Sequence, residues 1–250
     1  MRKGLVLLSG LIVLVGCHAA PKTAPTQVIY RFDDHRYLEL EGFNCEGALW
    51  YNDTQRNIRS EVLERDSPIF RISFFRYVHP SEKYISIPWD DLSGLLISKN
   101  YGQTWGRARF APGGGAVQYG ASGPESGEVD SFTVVNDQGF IQTKSGHLYM
   151  SSKPFDDPRM MPGGSGIDYT YDGEKHHLRP RYNGTDDNSY WGKNYTSWAS
   201  VQGEHSWKTF AYETNWQNIP NKVPEVKNYT GWDRMKCNPD IGLSTLKQGT

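Results

Sequence analysis

Long hydrophobic runs are almost absent from this 250-residue chain. The one exception, Leu5 to Val15, is interrupted by Ser9 and Gly10 and is short for a permanent membrane helix, which takes about 20 residues. An excess of charge of either sign is lacking too. The 27 Lys and Arg nearly balance the 28 Asp and Glu, for a net charge of −1. That argues against both a nucleic-acid-binding surface and an acidic tail. Helical periodicity is scarce, and no helix of domain-building length can be read. Gln55–Arg65, with Ile58 and Val62 four apart, is the best candidate and could equally be a strand.

The usual signatures of catalysis are missing as well. No Gly-x-Ser-x-Gly elbow, phosphate loop or zinc spacing occurs. Gly164-Ser165-Gly166 lies in a glycine loop. His176 and His177 are adjacent, so on a strand they face opposite ways. Asp33-Asp34-His35 and Asp186-Asp187-Asn188 could offer oxygen ligands to a cation, but lack EF-hand spacing and read as turns. The expectation is a protein that is not an enzyme, with no cofactor, no metal and no nucleic-acid partner.

What is present points to β-structure. Aromatics make up 13% of residues, with 15 Tyr and 8 Trp, alongside 26 Gly and 14 Pro. Short alternating runs recur. They include Val28-Tyr30-Phe32, Leu38-Leu40, Phe70-Ile72-Phe74 and Ile85-Ile87-Trp89. Further runs are Gly94–Ser98, Ser131–Val135, Gly139–Thr143, Leu148–Ser151, Ala199–Gln202 and Lys208–Tyr212. The expected fold is all-β, propeller-like or a multi-sheet meander, as one large or two small subdomains. Its N-terminal β subdomain would cover 27–112 and its aromatic-rich C-terminal β subdomain 129–250, joined by a glycine-rich linker over 113–128.

Cysteine is scarce, and its three positions are informative. Arg2 and Lys3 precede the apolar run, as in a signal peptide over residues 1–16. Leu14-Val15-Gly16-Cys17 has the form of a bacterial lipobox, with Cys17 as the lipidated residue and 17–26 as a proline-containing tether. Several acyl chains give stable membrane attachment. His18, in place of Asp, favours the outer over the inner membrane in the enterobacterial sorting rule. Setting Cys17 aside leaves Cys45 and Cys237, an even remainder that suggests one disulfide in an oxidising compartment. Two buried free thiols are the alternative.

One internal motif is sharp. Ser98-Lys99-Asn100-Tyr101-Gly102-Gln103-Thr104-Trp105 resembles an Asp-box, with Ser98, Asn100, Gly102, Thr104 and Trp105 at its defining positions and Asn in place of Asp. Such a box is a folding device, in which side-chain oxygens accept from turn amides and Gly permits positive φ. Tyr190, Trp191, Trp198 and Trp207 form an aromatic-rich stretch that could carry partner binding or fill a core.

These residues also suggest a family. Gln27-Val28-Ile29-Tyr30-Arg31-Phe32-Asp33-Asp34-His35-Arg36-Tyr37 follows the tether, and Cys45 comes soon after. His79-Pro80-Ser81-Glu82-Lys83-Tyr84-Ile85-Ser86-Ile87-Pro88 then precedes the box that ends in Trp105. Over about residues 14–105 this order resembles that of immunity lipoproteins that protect bacteria from type VI secretion lipase effectors. The resemblance implies a periplasm-facing inhibitor that binds a toxic phospholipase stoichiometrically. Alternatives are an envelope lipoprotein that binds glycan or an assembly partner, and lastly a sialidase-like hydrolase. The last rests on Phe70-Arg71-Ile72-Ser73, which resembles the arginine segment of sialidases, in a chain short for six blades.

Overall fold

A computed structural model describes residues 23–63, 69–110, 123–155, 157–171, 173–180, 191–197, 215–216 and 222–243. Outside them lie the expected signal segment, Cys17 and most of its tether, and residues 113–122 of the linker. Asp186-Asp187-Asn188, the strands expected at 199–202 and 208–212, and Tyr190, Trp198 and Trp207 lie outside them too.

The fold is all-β. A first sheet holds β1 (Thr26–Arg31), β2 (Arg36–Phe43), β3 (Glu46–Asp53) and β4 (Ile58–Glu61) in that order, with β5 (Phe70–Arg71) also pairing β3. Gln55–Arg65 thus contributes a strand. Strict alternation of buried and half-buried positions along β2 places Leu38 and Leu40 inward and Glu39 and Glu41 outward. Arg36 follows the same inward phase and is buried. It survives there because Asp33 accepts from its Nε at 2.7 Å and the carbonyl of Ser81 from its Nη1 at 2.6 Å.

The second sheet has eight strands. Four come from β6 (Arg76–Val78), β7 (Ile85–Pro88), β8 (Leu95–Ser98) and β9 (Gly106–Phe110). Three more are β10 (Val129–Val135), β11 (Gln138–Thr143) and β12 (Leu148–Ser151). A separate hairpin follows, β13 (Ile167–Tyr171) with β14 (Glu174–Leu178), and the eighth strand is β15 (Asn194–Ser197). The sheet order is β6-β10-β11-β12-β15-β9-β8-β7, with parallel pairing at β6–β10 and β15–β9. Strands from before and after residues 113–128 share this one sheet.

Both faces of the long sheet are covered. Phe132, Val134, Ile141 and Tyr149 join Ile29, Leu38, Leu40, Leu49 and Tyr51 of the first sheet in one cluster. The intervening residues Val135, Phe140, Leu148 and Met150 pack with Trp216 on the other side. Double-sided burial explains why β12 reads as a continuous run of buried residues. Each large apolar side chain buried this way contributes about 1.5–3 kcal/mol.

Cys45 and Cys237 are disulfide-bonded, 192 positions apart with Cα atoms at 5.9 Å. The segment before Cys237 runs along the outer edge of β1. Trp232 N donates to Arg31 O and Lys236 N to Ile29 O, both at 2.8 Å. Asp233 O accepts from Tyr77 N at 2.7 Å, so the same strap also touches β6.

Candidate interaction surface

The Asp-box-like turn carries β8 into β9. Ser98 Oγ accepts from Asn100 N at 3.3 Å and from Gly102 N at 2.9 Å. Asn100 Oδ1 accepts from Thr104 N at 3.0 Å, and its Nδ2 donates to Thr104 Oγ1 at 2.9 Å. Asn therefore fills the Asp position by accepting from the backbone as Asp would, while its amide donates where a carboxylate could not. Gly102 has φ +84°, and a Cβ there would lie 2.3 Å from the Tyr51 ring. Trp105 closes the joint to the first sheet, donating from Nε1 to Ser60 Oγ at 2.9 Å and meeting Tyr51 edge-on at 5.7 Å. The box is thus a clamp between sheets.

A band of three recesses includes this clamp in its first member. The first, about 510 Å³, is lined by Glu61, Leu63, Leu96, Thr104, Trp105 and Arg107 among others. The second, about 470 Å³, shares Arg107 and adds Trp89, Arg109, Lys193 and Asn194. The third, about 570 Å³, begins at Asp90, next to Trp89, and includes Phe74, Arg76, Asp130, Lys144 and Arg234. The first two recesses share Arg107, and the third holds Asp90, the residue after Trp89 of the second.

The turn between β7 and β8 holds this band in place. Leu92, at φ +55°, is buried, and its N–H donates to Trp89 O at 3.1 Å. Asp91 accepts from Ser93 N at 2.8 Å, and that hydrogen bond lowers its carboxyl pKa. Arg107 lies 5.1 Å from the centroid of the half-buried Trp89 ring. At the far end Phe74 is 78% exposed, and Ile69 nearby in the chain is 64% exposed.

Beneath the band the interior is polar but closed. Tyr84 and Tyr195 share a hydroxyl hydrogen bond of 3.0 Å, and Tyr195 donates to Ser86 Oγ at 2.9 Å. Burial pushes the Tyr195 hydroxyl up to about 12. His79 is fully buried and accepts from Ser86 N at 3.1 Å through Nε2. Burial first, and then the nearby Arg36 guanidinium, hold its pKa well below the usual imidazole range. These groups bind the sheet together, and no recess of the band includes them.

The residues singled out by sequence are placed as follows. Trp191 is only 4% exposed, so it is core rather than a partner-binding aromatic. Its Nε1 donates to Asp137 O at 3.1 Å, and Lys83 and Lys99 lie over its ring at 5.0 and 5.5 Å. Arg71 is exposed and pairs across the strands with Glu46 at 2.8 Å, which is what an outward arginine on β5 does. His176 stacks on Tyr169, and His177 bonds Asp168 at 2.7 Å, on opposite faces of β14. Asp33, Asp34 and His35 have ligand-type atoms within 4.8 Å of one another. Asp33 is already engaged, accepting from the amides of His35 and Arg36 and from the Arg36 guanidinium.

The sequence alone does not reveal the band, because Trp89 and Phe74 stand there only as the last members of alternating runs. Pro88 directly before Trp89, and the paired Phe74-Phe75, are the signals that the alternation ends.

Residues 22–143 match a family model described as T6SS Tli3 immunity protein. No curated protein matches the chain. Among solved structures, one titled "YCF48 bound to D1 peptide" is similar at 17% identity and a TM-score of 0.32, over 52% of this chain and 40% of that one. The chain thus spans well under two thirds of that structure, and a likeness of this degree carries no argument.

Proposed function

Starting from a chain whose residues 22–143 match the T6SS Tli3 immunity protein family, we propose that it neutralises a type VI secretion phospholipase effector by binding it one to one. The family match is the observation that carries this reading. The matched span contains Phe74, Trp89, Trp105, Arg107 and Arg109, so most of the band lies within it. Trp and Arg are the side chains that most often carry binding energy at protein interfaces. A disulfide-tied scaffold covered on both sheet faces keeps such a surface pre-organised, which lowers the cost of association.

The proposed address completes the reading. With lipid on Cys17, the protein would stand on the outer membrane facing the periplasm, where a delivered phospholipase meets its substrate. Tethering to that membrane raises the inhibitor's local concentration. The protein acts without catalysis, by covering the effector's active site or blocking an activating rearrangement.

The experiment is co-purification with the effector encoded beside this gene, followed by titration of its phospholipase activity. Inhibition that saturates at one equivalent supports the proposal. An effector that stays unbound and fully active would sink it.

A further inference from the structure

We propose that the end of the first sheet where the chain enters β1 rests on the lipid surface of the membrane, through an apolar corner of Pro25, Phe43 and Leu243. This rests on the proposed lipid anchor at Cys17 and adds which face of the protein the anchor brings down.

Several stretches of chain converge at that end. β1 begins at Thr26, opposite Glu41 of β2, and just before it Pro25 O accepts from Gly42 N at 2.9 Å. β2 turns into β3 through the exposed Asn44 and through Cys45, at φ 52° and 63°. β5 reaches the same end, with Arg71 opposite Glu46. The Cys45–Cys237 disulfide brings in the segment after the strap, and Asn238 N donates to Gln27 Oε1 at 2.9 Å. Gly242, at φ +76°, closes the corner. A Cβ there would lie 2.8 Å from Pro25 Cγ and 3.2 Å from Phe43 Cε1. The next residue, Leu243, is 48% exposed, while Pro25 and Phe43 are half-buried.

The anchor selects the occupant. Thr23 stands six residues after Cys17, a stretch that spans about 20 Å when fully extended and less with any bend. A bilayer is therefore always within reach of this corner. The Asp-box-like turn is farther off, since Gly102 packs on Tyr51, five residues along β3 from Glu46 and about 17 Å away at strand rise. A patch of three side chains binds lipid only weakly, in proportion to the apolar area it buries. Weak is sufficient here, because a tethered protein makes the contact within one assembly and not from solution. Charge is not the attraction: Glu46 is paired with Arg71 at 2.8 Å, and Asp240 nearby is exposed.

The test uses the full-length, lipidated protein reconstituted in vesicles of phosphatidylethanolamine and phosphatidylglycerol. With Cys17 lipidated and Cys45 bonded to Cys237, each of Leu243→Cys, Asp240→Cys, Thr23→Cys and Gln103→Cys adds a single free thiol for a fluorophore. Residues 243 and 240 read the corner, 23 reads the tether, and the exposed Gln103 reads the Asp-box-like turn. An unchanged melting curve verifies each fold, and either corner variant is sufficient. The expected result is quenching by spin-labelled phospholipid about fivefold stronger at the corner and at residue 23 than at residue 103, and insensitive to salt. Quenching at residue 23 alone would mean that the tether holds the protein clear of the bilayer, and overturns the inference. Equal quenching at residue 103, or corner quenching that salt abolishes, overturns it too. These outcomes leave the anchor reading intact. If mass spectrometry finds Cys17 without lipid, the anchor reading fails and takes the inference with it.

Discussion

The hydroxyl of Tyr77, on one outermost strand of the eight-stranded sheet, donates to the carbonyl of Ser86, on the other outermost strand, at 2.6 Å. The two edges of one sheet therefore meet through a side chain, and the sheet is curled rather than open. Both residues are fully buried, so no water replaces the bond when it is lost. Tyr77→Phe keeps the ring against Phe132 and Tyr30 and removes only the donor. The expected cost is about 1–2 kcal/mol, seen as a lower urea midpoint at an unchanged slope. An unchanged midpoint would show that packing alone holds the curl.

The Cys45–Cys237 bond closes a loop spanning nearly the whole described chain. Cys45→Ser/Cys237→Ser is expected to destabilise by about 2–5 kcal/mol, with a matching loss when the unsubstituted protein is reduced. Hydrogen exchange distinguishes the mechanism. The amides of Trp232 and Lys236, which donate to β1, should lose protection before those of β10 and β11. Equal loss throughout would mean that the strap unfolds only with the whole protein.

His79 makes stability depend on pH in a defined direction. Burial, aided by Arg36, depresses its folded-state pKa, whereas an unfolded histidine titrates near 6.5. Below about pH 6.5 the unfolded chain takes up a proton that the folded one refuses. Stability that is fully present above that pH is then lost on acidification, at up to about 1.4 kcal/mol per pH unit, until the folded pKa is reached. Denaturation measured between about pH 7 and 5 should show this slope, and His79→Gln should reduce it. An identical slope in the variant would assign the effect to other groups.

Phe74 separates binding from folding. At 78% exposure it contributes little to the core, so Phe74→Ala should change stability by less than about 0.5 kcal/mol. If the band is the effector surface, the same substitution should weaken effector binding by about tenfold or more. Calorimetric titration beside a melting curve reads both quantities. Undiminished affinity would remove Phe74 from the interface.

Much of the fold was legible because period-two alternation survives wherever one face of a strand is buried. β2, with Leu38 and Leu40 inward and glutamates outward, is the clearest case. β3 was not legible, since Glu46-Gly47-Ala48-Leu49-Trp50-Tyr51-Asn52-Asp53 has no polar alternation and is specified by pairing with β2, β4 and β5. β9 and β15 are equally silent, because their parallel pairing joins segments far apart in sequence. The Asp-box resemblance located the β8–β9 turn from local chemistry alone. The Phe70-Ile72-Phe74 alternation misled at its last member: Phe70 and Ile72 are buried, but β5 ends at Arg71 and Phe74 turns out to solvent. The second recess could not be read ahead, because Trp89, Arg107 and Lys193 come from three separate stretches that only the sheet order brings together.

The strap along β1 has a consequence for assembly in time. Strand β1 has one edge paired by β2 and the other completed by Trp232 and Lys236, which are made far later in synthesis. In the interval, the carbonyls of Ile29 and Arg31 face outward as an open edge, to which a neighbouring nascent copy could add. The segment around Trp232 and Lys236 is thus a seal as much as a brace. A product cut short before residue 232 would carry nearly every strand and still keep that edge permanently adhesive.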